Sequence, residues 1–152
     1  MARHRRAAVA RGFTLIELMV VVALIAIAVS VASLALRDGS QVRLEREAER
    51  LAALLEGARA EARAGQLRAL WEPTSGVNAD GNDFRFVGLP KGDRPLRWMT
   101  PGVTVEIVGR RYVVLGPEPL IGAQRILLRL DDQRMALFTD GLGPFTIDQG
   151  TP

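Results

Sequence analysis

The stretch from Gly12 to Leu36, GFTLIELMVVVALIAIAVSVASLAL, is apolar over a length that suits a bilayer, and it holds one carboxylate, Glu17, just inside its start. From Leu18 to Leu36 there is neither Pro nor Gly. About 20 such residues at ~1.5 Å per residue span the ~30 Å hydrocarbon core. Ser30 and Ser33 fit this helix because their hydroxyls bond back to the preceding turn. The carboxylate fits less easily. An ionisable group in a spanning helix costs on the order of 3 kcal/mol to insert and persists where it finds a partner inside the membrane. Glu17 therefore asks for a cation.

Ahead of the apolar run, Met1 to Gly12 carries Arg3, Arg5, Arg6 and Arg11 and no acid, the bias that keeps this end in the cytoplasm and places the remainder outside it. A basic segment before an apolar run also describes a secretory signal peptide, with Ser30-Val31-Ala32 as a small-x-small cleavage site. An ordinary signal core is shorter, roughly 7–15 residues, and has no acid at its beginning. A retained anchor is the preferred reading.

Of the 152 residues, those beyond the anchor make one domain of common size. The chain has no Cys, so that domain must be held by its core rather than by disulfides. The formal net charge of +3 hints at nucleic acid, but four of the 20 Lys+Arg precede Phe13, which leaves 16 against 17 Asp+Glu and a charge of −1. The basic excess reports topology, and no nucleic-acid partner is expected.

Beyond Arg37, Leu44, Ala48, Leu51, Leu55, Ala58 and Ala62 recur at helical spacing with Glu and Arg between them, which predicts an amphipathic helix. Arg43 with Glu47 and Glu56 with Arg59 stand at i,i+4 and i,i+3 and are expected to solubilise its outer face. Asp38-Gly39-Ser40 is a candidate bend and Gly65 a candidate stop. From Leu67 onward the period shortens to the alternation of antiparallel strands. Strands are expected at Leu67–Trp71, Phe84–Gly88, Leu96–Met99, Val103–Val108, Tyr112–Leu115, Arg125–Leu130, Met135–Thr139 and Phe145–Asp148. Gly109-Arg110 and Asp131-Asp132-Gln133 read as hairpin turns, and Pro73 to Asn82 as a polar loop. The fold class is α+β.

The string Arg11-Gly12-Phe13-Thr14-Leu15-Ile16-Glu17 closely resembles the class III leader junction of type IV pilins and type II secretion pseudopilins. The resemblance implies that a membrane-embedded prepilin peptidase/methyltransferase cuts between Gly12 and Phe13 and N-methylates Phe13. Cleavage precedes the apolar helix, so the helix stays. Glu17 becomes the fifth residue of the mature chain, and its carboxylate pairs with the N-terminal ammonium of a neighbouring subunit during assembly.

Glu47-Ala48-Glu49-Arg50-Leu51-Ala52, Leu115-Gly116-Pro117-Glu118-Pro119 and Thr139-Asp140-Gly141-Leu142-Gly143-Pro144-Phe145 resemble the GspH type of minor pseudopilin. The implied fold is type IV pilin-like: a long N-terminal helix, membrane-spanning in its first half, packed on an antiparallel β-sheet domain. The implied plan is a cleaved leader over 1–12, a transmembrane helix over 13–36, an amphipathic periplasmic helix over 37–65 and a β-rich periplasmic domain over 66–152. The resemblance implies a structural subunit at or near the tip of a periplasmic pseudopilus in a Gram-negative inner membrane. Its partners would be other minor pseudopilins, the major pseudopilin and the inner-membrane assembly platform. The alternative is a FimT-like minor pilin of a type IV pilus; a second rival is a tethered periplasmic domain that never assembles.

An enzyme is not expected. His4 is the only His and lies in the leader, and neither a Gly-x-Ser-x-Gly elbow nor a phosphate-binding loop occurs. Asp131-Asp132 reads as a turn rather than a catalytic pair. Asn78, Asp80, Asn82 and Asp83 crowd one loop, but an EF-hand register from Asn78 puts Asp83 and Leu89 where Gly and Glu belong. No metal or other cofactor is expected.

Overall fold

The computed structural model describes residues 13–74 and 81–148, the side chains of residues 33–38 excepted. The chain divides after Leu36 into two units, and one helix, α1 (Leu15–Ala64), contributes to both. In the first unit, thirteen large apolar side chains between Phe13 and Val31 are 41–76% exposed. They lie all round the helix rather than on one stripe, the pattern of a helix surrounded by an apolar medium. Leu15–Ala32 is long and apolar enough to cross a membrane. The Ser30 hydroxyl donates to the Ala26 carbonyl at 2.8 Å, the expected back-bond.

The second unit holds the rest of α1 and seven strands: β1 (Ala69–Pro73), β2 (Phe84–Val87), β3 (Thr104–Ile107), β4 (Val113–Gly116), β5 (Gln124–Leu130), β6 (Gln133–Thr139) and β7 (Thr146–Asp148). They form two antiparallel sheets, ordered β2-β1-β4 and β3-β5-β6-β7. The expected α+β arrangement stands. Leu44, Ala48, Leu51, Leu55, Ala58 and Ala62 are all buried and share one core with Trp71, Phe84, Val113 and Leu115 of one sheet and Ile126, Leu128 and Leu137 of the other. Along β5, Ile126, Leu128 and Leu130 point inward and Arg125 and Arg129 outward, the period-2 alternation of a half-buried strand.

The two sheets meet through a side chain. Gln124, buried at the start of β5, accepts from the Val114 N–H at 2.8 Å and donates to the Val114 carbonyl at 3.0 Å. Its amide thus stands in for a missing strand partner at the edge of β4, where bare backbone groups would otherwise lose their hydrogen bonds.

Two expectations, the strand at Leu96–Met99 and the hairpin at Gly109-Arg110, are corrected. Asp38-Gly39-Ser40 lies within α1; one Gly in a helix costs only ~1 kcal/mol, and Ser40 is anchored, its hydroxyl donating to the Asp131 carboxylate at 2.6 Å. Helix α1 ends at Ala64, so Gly65 marks its stop as expected, and the left-handed residue that follows is Gln66 at φ 52°. Bonds from Leu67 N–H to Ala62 C=O (2.8 Å) and from Gln66 N–H to Arg63 C=O (3.3 Å) make a Schellman end.

Leu96–Met99 forms no strand. Its backbone is held by single bonds instead: Asp83 N–H to Leu96 C=O at 2.9 Å, and Trp98 N–H to the Asp83 carboxylate at 2.7 Å. These seat Trp98 on Phe84, ring centroids 4.9 Å apart. Gly109, at φ 71°, does turn the chain, but β3 and β4 belong to different sheets, so the turn is a crossing and not a hairpin. Asp131-Asp132 is a hairpin turn as expected, pairing Leu130 with Gln133.

Where β4 passes over α1, a Cβ placed on Gly116 would lie 2.8 Å from the Ala62 Cβ. Gly116→Ala should therefore lower stability by about 1–3 kcal/mol, measured by urea unfolding in detergent with tryptophan fluorescence. Adding Ala62→Gly should make the pair cost less than the sum of the two changes.

Candidate functional site

The first turn of α1 is built as a cap. Thr14 precedes the helix; its carbonyl accepts the Leu18 N–H at 3.2 Å, and its hydroxyl accepts the Glu17 N–H at 3.3 Å. Thr14-x-x-Glu17 has the spacing of a capping box, in which Ser or Thr caps the third helical amide. Glu17 also lies where the positive end of the helix dipole favours an anion. Its carboxylate makes no hydrogen bond or ion pair among the described residues, and the side chain is exposed amid apolar neighbours. Phe13, the expected new N-terminus, stands two residues before the helix and is 71% exposed. Gly12 and the rest of the leader over 1–12 lie outside the described residues.

Residues 8–33 match the family of the prokaryotic N-terminal methylation motif. The chain carries a type IV pilin-like prepilin leader. Thr14, Glu17 and the apolar turns that follow all fall inside the matched segment. No match was found among curated proteins or among solved structures.

A second polar constellation lies in the domain. Arg59 is only 1% exposed. Its guanidinium donates to the carbonyls of Gly143 at 2.7 Å, Gly141 at 2.8 Å, Pro119 at 3.3 Å and Leu142 at 3.4 Å. Glu56, 3.5 Å from Arg59, accepts the Phe145 N–H at 3.0 Å. The Thr139 hydroxyl bridges the same loop, donating to the Gly143 carbonyl and accepting the Gly141 N–H, each at 2.9 Å. Gly141, at φ 94°, passes so close to the Gly122 backbone that a Cβ would lie 2.6 Å from it. The segment Thr139–Phe145 is thus clamped to α1.

Of the two pairs expected on the outer face of α1, Glu56 with Arg59 forms but is not a surface pair, and Arg43 with Glu47 does not form. Arg59 is buried and organises a loop, with Glu56 beside it. Arg43 donates to the Ser40 hydroxyl at 2.9 Å rather than to Glu47. Glu47 is 0% exposed and accepts the Thr100 N–H at 2.5 Å and an Arg50 N–H at 3.4 Å. The signal for both was position: Glu47 follows Leu44 by three, and Arg59 follows Leu55 by four, so each sits on the flank of the apolar stripe.

Among the described residues no group of three or more His, Cys, Asp or Glu side chains is placed to hold a metal. Asp83 is engaged by the Trp98 amide, while Asn78 and Asp80 lie outside the described residues.

The amides of Gly143 and Leu142, donating at 2.7 and 2.9 Å, hold the Asp140 carboxyl below its ordinary value, and Arg59 acts in the same direction. A carboxylate with a depressed folded value stabilises above its ordinary value and loses that contribution as pH falls through the folded one. Hydrogen exchange at Leu142 and Gly143 should therefore stay slow down to about pH 3.8, the ordinary aspartate value, and quicken below it. Asp140→Asn should abolish that step, and Arg59→Gln should raise exchange across 141–145 at every pH.

Proposed function

We propose that the chain is a minor pseudopilin, a non-catalytic subunit at or near the tip of the periplasmic pseudopilus of a type II secretion system. A single membrane-spanning helix anchors it, with its N-terminus cytoplasmic and its β-rich domain periplasmic. Prepilin peptidase cuts between Gly12 and Phe13 and methylates Phe13. The observation that carries this reading is the Glu17 carboxylate, which has no partner among the described residues and stands one helical turn after the cleavage junction on a helix exposed all round. A neighbouring subunit's terminal ammonium supplies the missing charge. The likeness of 47–52, 115–119 and 139–145 to the GspH type supports the choice of pseudopilin over a FimT-like minor pilin.

Mass spectrometry of protein from native membranes should find a chain beginning at methylated Phe13; a chain beginning at Ser33 would refute the reading. Gly12→Val should block leader removal. Glu17→Val should be processed and inserted yet enter the pseudopilus poorly, with secretion falling accordingly. Glu17→Gln preserves the capping-box spacing but removes the charge. It should be as poor in assembly as Glu17→Val, whereas wild-type assembly would reduce Glu17 to a helix cap. Crosslinking should recover pseudopilins rather than pilins as neighbours.

A further inference from the structure

Several arginines of this unit are held by acids: Arg50 by Glu47, Arg85 by Glu72, Arg94 by Glu61, Arg125 by Asp148 and Arg129 by Glu106. Arg110 and Arg111 differ from the other arginines without an acid partner in standing side by side on one groove. They are adjacent, exposed, and make no hydrogen bond or ion pair among the described residues. Both line a groove of about 520 Å³ with Glu72, Pro73, Ile107 and Tyr112. Glu72, its one acid among the described residues, is held by Arg85 at 2.7 Å. Ile107 and Pro73 supply apolar lining, and Tyr112, 42% exposed, supplies a hydroxyl.

We propose that this groove binds a carboxylate carried on an acidic segment of a partner protein. A guanidinium fork matches a carboxylate in two parallel hydrogen bonds, and the aliphatic stem of a Glu side chain fits over Ile107 and Pro73. Nucleic acid is the poorer occupant. Its affinity comes from neutralising phosphates along a stripe, commonly about 6–10 of them, whereas the groove offers two cations in a chain whose charge beyond Gly12 is −1. The inference does not depend on whether the leader is processed or which machine the chain serves.

The test titrates the full chain in detergent micelles with fluorescein-labelled acetyl-Glu-Leu-Glu-Leu-Glu-amide, its Gln-for-Glu counterpart and a short oligothymidylate, followed by anisotropy. The acidic peptide should saturate, and R110Q/R111Q should weaken it by about tenfold or more, while R134Q, which removes an exposed arginine elsewhere, leaves it unchanged. The far-ultraviolet circular dichroism of all three proteins should coincide. Absence of saturation, equal binding by R110Q/R111Q, equal binding of the Gln peptide, or tighter binding of the oligothymidylate through the same arginines would each overturn the proposal.

Discussion

The apolar stripe on the second half of α1 has to be roofed by backbone that comes close at some levels and stands off at others. Leu44, Leu51 and Leu55 fill space, whereas Ala48, Ala58 and Ala62 admit near approach, and at Ala62 the strand that passes overhead carries Gly116. Interiors pack at crystal-like density, so this alternation of large and small fixes where each sheet can lie. Two separate sheets then share one core, and their adjoining edges cannot both be paired by strands. Gln124 removes the conflict by offering its amide to Val114 in the manner of a neighbouring strand.

The flanks of the same stripe bury polar groups, each of which answers an irregular segment. Ser40 takes the Asp131 turn, Glu47 takes the Thr100 amide, and Arg59 takes the carbonyls of the loop that follows β6. Burying a charge is expensive unless several hydrogen bonds replace water. Arg59 meets that condition through four carbonyls, although its Nε has no partner. Loops that would otherwise drift over the surface are thereby docked to the helix by side-chain bonds rather than by ladders.

The periods of the sequence carried most of the architecture. The spacing of Leu44 through Ala62 gave the buried face, and seven of eight expected strands lie within two residues of an observed one. The exception, Leu96–Met99, is apolar enough for a strand, but its Trp98 amide is claimed by the Asp83 carboxylate and the next amide, of Thr100, by Glu47, side-chain bonds that no periodicity reports. Charge is usually outside, so the sequence alone places Arg59 and Glu47 in solvent. Their positions beside the stripe held the opposite message, legible only once a loop backbone is there to receive them. In the sequence Arg110 reads only as part of a turn with Gly109, and Arg111 carries no signal. That they stand unpaired on a groove follows from β3 and β4 parting into different sheets.

At the first turn of α1 the question is which of two interactions explains Glu17. A Glu three residues after a capping Thr needs no membrane to account for it, and the helix dipole favours its charge by roughly 0.3–1 kcal/mol. Carrying that charge into hydrocarbon costs on the order of 3 kcal/mol. Cap and dipole therefore leave most of the cost outstanding, and no cation among the described residues offsets it. On the proposed reading the remainder falls to an ammonium from outside the chain, so the side chain that begins the helix also makes the isolated subunit incomplete.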